Sequence, residues 1–200
     1  HDVAKNIADI QVAPNYVFGQ AADIALIRLS EPVSGISPAV INQQQKPGLG
    51  LAGTIVGFGI TQQSTVDTGI KRRGHIITDF CPQSGPLIIS DEEHVCWRFE
   101  QTSAEPRVDA NTCSGDSGGP LFIDFGEGDV IAGVTSGGLG ECHVSDQSWD
   151  TDVFVNRDWI TSVAGDDLEN ARCGALAQVN QTNTNVIANT GRIDSKTSEM

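Results

Sequence analysis

The sequence predicts an all-β domain, an antiparallel sandwich or barrel, with one helix near the carboxyl end. Short apolar or alternating runs bounded by Gly, Pro, Asn or Asp recur along the chain before Asn156, and such runs are typical of strands. The 22 Gly and 8 Pro indicate many turns. No amphipathic stretch of helical period separates the runs, which argues against alternating βα units. The length of 200 residues fits one domain.

The predicted strands are rich in Ile, Val and Phe, and in chain order they are Ile7–Ala13, Ile24–Leu29, Thr54–Ile60, Gly74–Phe80, Val95–Phe99, Pro120–Phe125, Val130–Thr135 and Asp152–Val155. The helix is predicted to begin with Asn156 as its cap and to end at Gly165. From Gln178 to Thr190 the chain is mostly Asn, Gln and Thr, with little to bury. We therefore expect one domain over residues 1–165, followed by an extension, linker or start of another module over 166–200.

Charge and cysteine content limit the partners and the compartment. Asp and Glu number 26 against 12 Lys and Arg, and the net charge of −14 repels phosphate backbones and acidic lipid surfaces. No apolar run approaches the roughly 18 residues of a membrane span. Five cysteines without a C-x-x-C pair fit two disulfides and an odd thiol better than a zinc site. We expect an oxidising location, secreted or periplasmic, with no nucleic acid, membrane insertion, metal or other cofactor.

The string Cys113-Ser-Gly-Asp-Ser-Gly-Gly-Pro120 is the most specific chemical signal in the chain. It resembles the nucleophile loop of trypsin-like serine proteases, the chymotrypsin family, and implies that Ser117 is the nucleophile. Aiming the Gly115 and Ser117 N–H groups at a developing oxyanion needs a backbone conformation that a side chain at Gly115 would hinder. The resemblance also implies that Asp116 is buried and pairs with an amino terminus freed by activation of a zymogen. The alternative is a hairpin turn of small residues.

Two further segments are similar to parts of that family. Ala22–Leu29 resembles the segment that carries the triad aspartate, which implies that Asp23 orients the catalytic imidazole. Gly133–Gly138 resembles the strand that binds the substrate backbone and forms one wall of the primary specificity pocket, with Ser136 directed towards Asp23 and Gly138 at the substrate-binding edge. Gly137 replaces an aromatic residue of most relatives, which predicts an open wall.

The resemblance extends from about Ile7 to Val163 and includes all of the family's second barrel but only part of its first. It implies a fold of two six-stranded antiparallel β-barrels, the first incomplete, followed by a carboxyl-terminal helix. The family's catalytic histidine lies in a Thr-Ala-Ala-His-Cys string, which is absent. Because the chain begins at His1 and its one methionine is Met200, we expect a segment upstream of residue 1 to supply the base.

The histidines and cysteines of the sequence are consistent with a trypsin-like protease whose catalytic histidine lies upstream. His1 is too close to Asp23 to be the base, and the others are interpreted as solvated or structural imidazoles: His75, His94 and His143. The resemblance implies two disulfides, Cys113 with Cys142 and Cys81 with Cys96, and leaves Cys173 without a counterpart.

Two residues bear on the predicted specificity pocket. The resemblance implies that Asn111 occupies the floor position that is aspartate in trypsin, where it would supply no charge for a basic side chain. Asp152 is either a carboxylate at the opposite wall, able to attract Lys or Arg, or a surface acid in a turn over residues 149–152.

The resulting prediction is a serine endopeptidase that acts on proteins or peptides as a monomer. Acylation of Ser117 would need the upstream histidine, so the 200-residue chain alone is expected to be inactive. The alternative is a catalytically inactive homologue whose clefts bind other proteins. The residue at the upstream histidine position discriminates the two.

Overall fold

A computed structural model describes residues 5–17, 20–83, 88–99, 110–140 and 142–168. Within these residues the chain forms strands and one helix, in the order β1 (Ile7–Val12), β2 (Ala25–Leu29), β3 (Ala52–Gly57), β4 (Arg72–Asp79), β5 (His94–Arg98), β6 (Pro120–Asp124), β7 (Asp129–Gly138), β8 (Gln147–Asp152) and α1 (Arg157–Ala164). The all-β prediction with a carboxyl-terminal helix is confirmed. No helix in the described part of the chain is both long and apolar enough to span a membrane.

Strands β3 to β8 form a closed antiparallel barrel in the order β3-β4-β5-β8-β7-β6. Closure comes from the pairing of β3 with β6, in which Gly53 lies opposite Ile123. A side chain at Gly53 would meet Leu121 Cδ1 at 2.8 Å, so glycine lets the two strands pack closely. The barrel is filled by a cluster of buried apolar side chains, namely Ile55, Ile76, Val95, Trp97, Leu121, Ile123 and Ala132.

Strands β1 and β2 form a separate two-stranded antiparallel sheet. Every residue of β1 is exposed, and Ile10 and Val12 keep 53% and 62% of their surface in contact with solvent. This sheet is what the described residues contain in place of the incomplete first barrel that the resemblance implied. It is joined to the main barrel and to α1 by a second apolar cluster whose buried members are Ala13, Ala22, Ile24, Val153 and Ile160.

The helix has the predicted boundaries, with Asn156 at its amino-terminal cap and Gly165 at its carboxyl-terminal cap. Gly165 adopts a φ of 52°, a conformation that glycine takes without strain, and its N–H donates to Thr161 O. The predicted extension from residue 166 lies outside the described residues except for its first three positions, and Cys173 and His1 lie outside them too.

The last strand was predicted at the wrong place. Asp152–Val155 was expected to be extended, but β8 runs over Gln147–Asp152 and residues 153–156 form a turn. The polar sequence QSWDTD has the composition of a turn, yet every one of its residues is buried between β5 and β7. Tertiary context overrides the local pattern here.

Candidate active site

The nucleophile loop, residues 113–119, leads into β6 and carries Ser117 on its exposed surface. Gly115 and Gly118 have φ values of +95° and +80°, which a side chain would strain. The loop is fastened to β7, because Gly118 N donates to Thr135 O at 2.9 Å and Thr135 N donates to Gly119 O at 2.9 Å. Ser117 is therefore presented to solvent on a backbone fixed on both sides.

Asp116 is held beneath this loop by backbone donors. Its Oδ1 accepts a hydrogen bond from Gly59 N at 2.7 Å, and its Oδ2 accepts one from Cys113 N at 2.9 Å. Glycine is needed at two positions opposite, since an added Cβ would lie 2.0 Å from the Asp116 side chain at Gly57 and 2.7 Å from it at Gly59. The structure does not describe residues 1–4. Among the residues that it describes, these two N–H groups are the hydrogen-bond partners of the Asp116 carboxylate.

Asp23 lies just before β2 and is tied to the main barrel. Ser136 Oγ donates to Asp23 Oδ2 at 2.8 Å, and Thr151 Oγ1 donates to Asp23 O at 2.9 Å. The first of these is the contact that the family resemblance implied. Because Ser136 belongs to β7, which also fastens the nucleophile loop, one strand positions both Asp23 and the loop of Ser117.

None of the described histidines forms a hydrogen bond with Asp23 or Ser117. His75 Nδ1 lies 3.3 Å from Thr54 Oγ1, and His143 Nδ1 donates to Val144 O within its own loop. His94 is buried, and its Nδ1 donates to Ser90 O at 3.1 Å. Burial lowers the pKa of His94 and favours its neutral form, although the Ser90 carbonyl acts in the opposite direction.

The floor of the predicted specificity pocket is a neutral hydrogen-bonded group. Thr112 Oγ1 donates to Ser148 Oγ at 2.9 Å, and Ser148 Oγ in turn donates to Asn111 Oδ1. Ser148 is fully buried on β8 and lies opposite Gly138 of β7. Asn111, the predicted floor residue, thus bonds to Ser148 of β8, which the sequence analysis missed because its strand was misplaced.

The position of Asp152 contradicts the prediction that it contributes charge to the pocket wall. Its buried carboxylate pairs with Lys46, with Oδ2 3.1 Å from Nζ, while Oδ1 accepts hydrogen bonds from Phe154 N at 2.8 Å and Val155 N at 3.3 Å. It is also not the surface acid of the other interpretation. Strand β8 ends at Asp152, so this side chain joins the turn before α1 to the segment around Lys46.

The expected opening at Gly137 is not seen. Trp149 lies opposite Gly137 across the β7–β8 pair, and a side chain at Gly137 would meet the indole Cζ2 at 2.7 Å. The indole is fully buried. The absence of a side chain at Gly137 is therefore explained by the tryptophan packed behind it, and a larger residue there would displace that ring.

Asp150 is a buried acid that sequence reasoning assigned to a turn. It is fully buried opposite Thr135, and among the described residues its carboxyl oxygens accept no hydrogen bond of good geometry. Desolvation raises the pKa of Asp150 well above its usual value, and the Thr135 side chain acts in the opposite direction. The folded protein thus favours the neutral acid at this position.

This buried acid predicts a pH dependence of stability. Above about pH 4 the unfolded chain releases the Asp150 proton and the folded chain retains it, so the free energy of unfolding falls as pH rises towards the raised pKa. Asp150→Asn is expected to flatten this slope and to raise stability at pH 8 by about 1 kcal/mol or more. Urea unfolding at pH 5 and pH 8 measures both effects.

Asp124 provides a control, because folding lowers its pKa whereas folding raises the pKa of Asp150. The Gly126 and Gly128 N–H groups lower the pKa of Asp124, so its contribution is present at neutral pH and is lost as pH falls through that lowered value. Asp124→Asn should therefore leave the decline between pH 5 and pH 8 intact. An unchanged decline in Asp150→Asn would contradict the assignment of this slope to Asp150.

The described residues contain two disulfides, Cys81–Cys96 and Cys113–Cys142, which are the pairs that the resemblance implied. The second joins the nucleophile loop to the segment between β7 and β8. Peptide mapping under non-reducing conditions is expected to recover both pairs. Cys113 joined to Cys96, or unmodified Cys113 in secreted protein, would show that the loop is held differently.

The closed six-stranded barrel, the second sheet and the short terminal helix of the described residues are consistent with the fold of the trypsin-like serine proteases. The family model described as Trypsin matches residues 2–160. The chain belongs to the trypsin family.

Curated relatives agree with that assignment. "Serine protease SSP1" of Scolopendra subspinipes is 31% identical over 141 residues, which are 68% of this chain and 46% of that protein. "Trypsin iota" of Drosophila melanogaster is 28% identical over 144 residues, 71% of this chain and 54% of that protein. "Spaetzle-processing enzyme" of the same species is 31% identical over 185 residues, 80% of this chain and 42% of that protein. The chain thus spans about half the length of these relatives.

Proposed function

We propose that this chain carries the nucleophile and the triad aspartate of a serine endopeptidase. The observation that carries the proposal is the nucleophile loop, which exposes Ser117 while Asp116 and β7 fix the backbone on either side of it. Ser117 Oγ attacks the substrate carbonyl and forms an acyl-enzyme, which water then hydrolyses. The N–H groups of Gly115 and Ser117 stabilise the oxyanion, and Asp23 orients the imidazole that accepts the Ser117 proton.

The imidazole comes from a segment that precedes residue 1. This is supported by the described histidines, none of which forms a hydrogen bond with Asp23 or Ser117. It is also supported by relatives about twice as long as the matched region. Residues 1–165 are then the carboxyl-terminal part of the peptidase domain and residues 166–200 an extension. The two disulfides suit a secreted or periplasmic protein.

Activation of the enzyme uses Asp116. A cavity of about 220 Å³ adjoins this residue; Ile55 and Ala110 form an apolar part of its lining, and Arg72, Arg73 and Asn111 form a polar part. An amino terminus freed by cleavage would insert there, placing its first side chain in the cavity and its ammonium group at Asp116. The ion pair would replace backbone hydrogen bonds and hold the oxyanion hole in its active form.

The primary pocket accepts an uncharged side chain. Its floor of Asn111, Thr112 and Ser148 has hydroxyl and amide groups only, and Asp152 is committed to Lys46. A cationic side chain would find no carboxylate on this floor to offset its desolvation. We therefore expect Arg and Lys to be poorer than neutral residues immediately before the cut.

The test compares the 200-residue chain with the full-length protein, meaning the chain preceded by the proposed upstream segment. The chain alone is expected not to react with a fluorophosphonate, whereas the activated full-length protein reacts and cleaves peptides. Labelling of the chain alone would contradict the role of the upstream histidine. A full-length protein with another residue at that histidine position, and without activity, would favour the inactive protein-binding homologue.

A further inference from the structure

Arg72, the first residue of β4, is bonded to the loop that joins β3 to β4. Its Nη2 lies 2.9 Å from Asp67 Oδ2, and its Nη1 donates to Asp67 O at 2.9 Å and to Gly59 O at 3.1 Å. A guanidinium can donate to several oxygens at once in a fixed planar arrangement, which an ammonium group cannot. Arg72 therefore holds the Gly59 carbonyl at a set position relative to Asp67.

Asp67 is itself fastened within the same loop. Its Oδ1 accepts hydrogen bonds from Thr65 Oγ1 at 2.8 Å and Thr61 N at 3.1 Å, and its Oδ2 accepts one from Thr61 Oγ1 at 2.9 Å. The hydrogen bond from Thr65, followed by that from Thr61 N, lowers the pKa of Asp67. The carboxylate thus stays ionised at neutral pH and gives the Arg72 guanidinium a fixed partner.

Gly59 connects Arg72 to the nucleophile loop. Its N–H donates to Asp116 Oδ1 at 2.7 Å, and its carbonyl is the one that accepts from Arg72. That carbonyl shares a peptide group with the Ile60 N–H, which donates to Ser114 O at 3.0 Å. A trans peptide group is planar, so its carbonyl and its N–H point in opposite directions. By holding the carbonyl, Arg72 therefore directs the Ile60 N–H at Ser114 O and polarises it as a donor.

The Ser114 carbonyl determines where one N–H group of the proposed oxyanion hole points. It shares a planar peptide group with the Gly115 N–H, so a carbonyl held by Ile60 turns that N–H to the opposite side. Among the described residues no group accepts a hydrogen bond from Gly115 N or Ser117 N, which leaves both donors for an oxyanion. Rotation of this peptide group would present a carbonyl oxygen to the oxyanion in place of a donor.

We propose that Arg72 is a positioning residue for the oxyanion hole. By holding the peptide group between Gly59 and Ile60, it keeps the next peptide group in the chain of contacts, that between Ser114 and Gly115, in the orientation that donates to the reacting carbonyl. This inference rests on the function proposed above. Because negative charge develops on the substrate oxygen only in the transition state, loss of this positioning should lower kcat and leave KM nearly unchanged.

The test compares Arg72→Gln with the wild type in the activated full-length protein, with kcat counted per active site titrated by a fluorophosphonate. Loss of a whole oxyanion-hole donor costs about 100-fold to 1000-fold in kcat, and a misdirected donor costs less, so we expect a fall of about 10-fold or more. KM should stay within about 2-fold of the wild type. A peptide aldehyde, which forms a tetrahedral adduct with an oxyanion, should bind more weakly by a factor similar to the loss of kcat.

Two further variants separate positioning from a general effect of removing a cation. Arg72→Lys, whose ammonium can still donate to Gly59 O, should retain more of the wild-type kcat than Arg72→Gln. Arg28→Gln removes a cation of β2 that pairs with Asp167, away from the nucleophile loop, and it should keep the wild-type kcat and KM.

The outcomes distinguish this inference from the function on which it rests. If the wild type hydrolyses peptides, the inference alone is overturned by an Arg72→Gln kcat close to that of the wild type, by a change confined to KM, by unchanged aldehyde binding, or by an equal loss in Arg72→Lys. No hydrolysis by the wild type overturns the proposed function and this inference with it.

Discussion

Ser117→Ala is expected to abolish peptide hydrolysis by the activated full-length protein, with kcat falling by about a millionfold. That is the order of effect seen when the nucleophile of a Ser-His-Asp triad is removed, because the acyl-enzyme no longer forms. The exposed position of Ser117 means that the change removes a hydroxyl without opening a cavity, so the free energy of unfolding should stay within about 0.5 kcal/mol of the wild type.

Ser114→Ala is the matched control for this experiment. Ser114 is another exposed serine of the same loop. Its backbone carbonyl accepts a hydrogen bond from Ile60 N, and this bond does not involve its hydroxyl. Its hydrolysis should remain within a few-fold of the wild type. A Ser117→Ala variant that retains one hundredth or more of the wild-type kcat would show that another group is the nucleophile.

Asp152→Ala is expected to destabilise the protein without changing its preference for the residue before the cut. The substitution leaves Lys46 without its carboxylate and two backbone N–H groups, those of Phe154 and Val155, without an acceptor. Because the Lys46 side chain is 39% exposed and can be rehydrated, the expected cost is mainly that of the unsatisfied N–H groups, about 1–3 kcal/mol. The free energy of unfolding of the 200-residue chain, from urea titration, measures this loss.

Asp158→Ala provides the comparison for Asp152. The Asp158 side chain is 89% exposed in the first turn of α1, so its removal should cost far less. Activity of the folded full-length variants is then compared on substrates that end in Arg or Phe before the cut. If Asp152→Ala selectively lost cleavage after Arg, the Asp152 carboxylate would have to lie in the specificity pocket, and the structure would be contradicted.

The strands and the helix were largely predictable because most of them follow local rules. Strand β4 shows the alternation of buried Ile76 and Thr78 with exposed neighbours that a half-buried strand requires. The helix has a cap residue before it and a glycine after it. Strand β8 was misplaced because its polar residues are buried by neighbours distant in sequence. The local sequence of the segment does not indicate that burial.

The candidate site was predictable only where the family resemblance supplied long-range contacts. Ser136 and Asp23 are 113 residues apart, and nothing in their local sequences brings them together. Lys46 and Asp152 are 106 residues apart, and the resemblance contained no such pair, so the charge of Asp152 was assigned to the wrong place. The placement of Ser148 and Asp150 depends in the same way on the register of β7 and β8.

The central claim is that Ser117 is the nucleophile of a serine endopeptidase whose histidine precedes residue 1. Mass spectrometry of the activated full-length protein after reaction with a fluorophosphonate tests it most directly. We expect one stoichiometric adduct on Ser117, absent when the upstream histidine is replaced by alanine. An adduct on another residue, or undiminished labelling of Ser117 without that histidine, would contradict the claim.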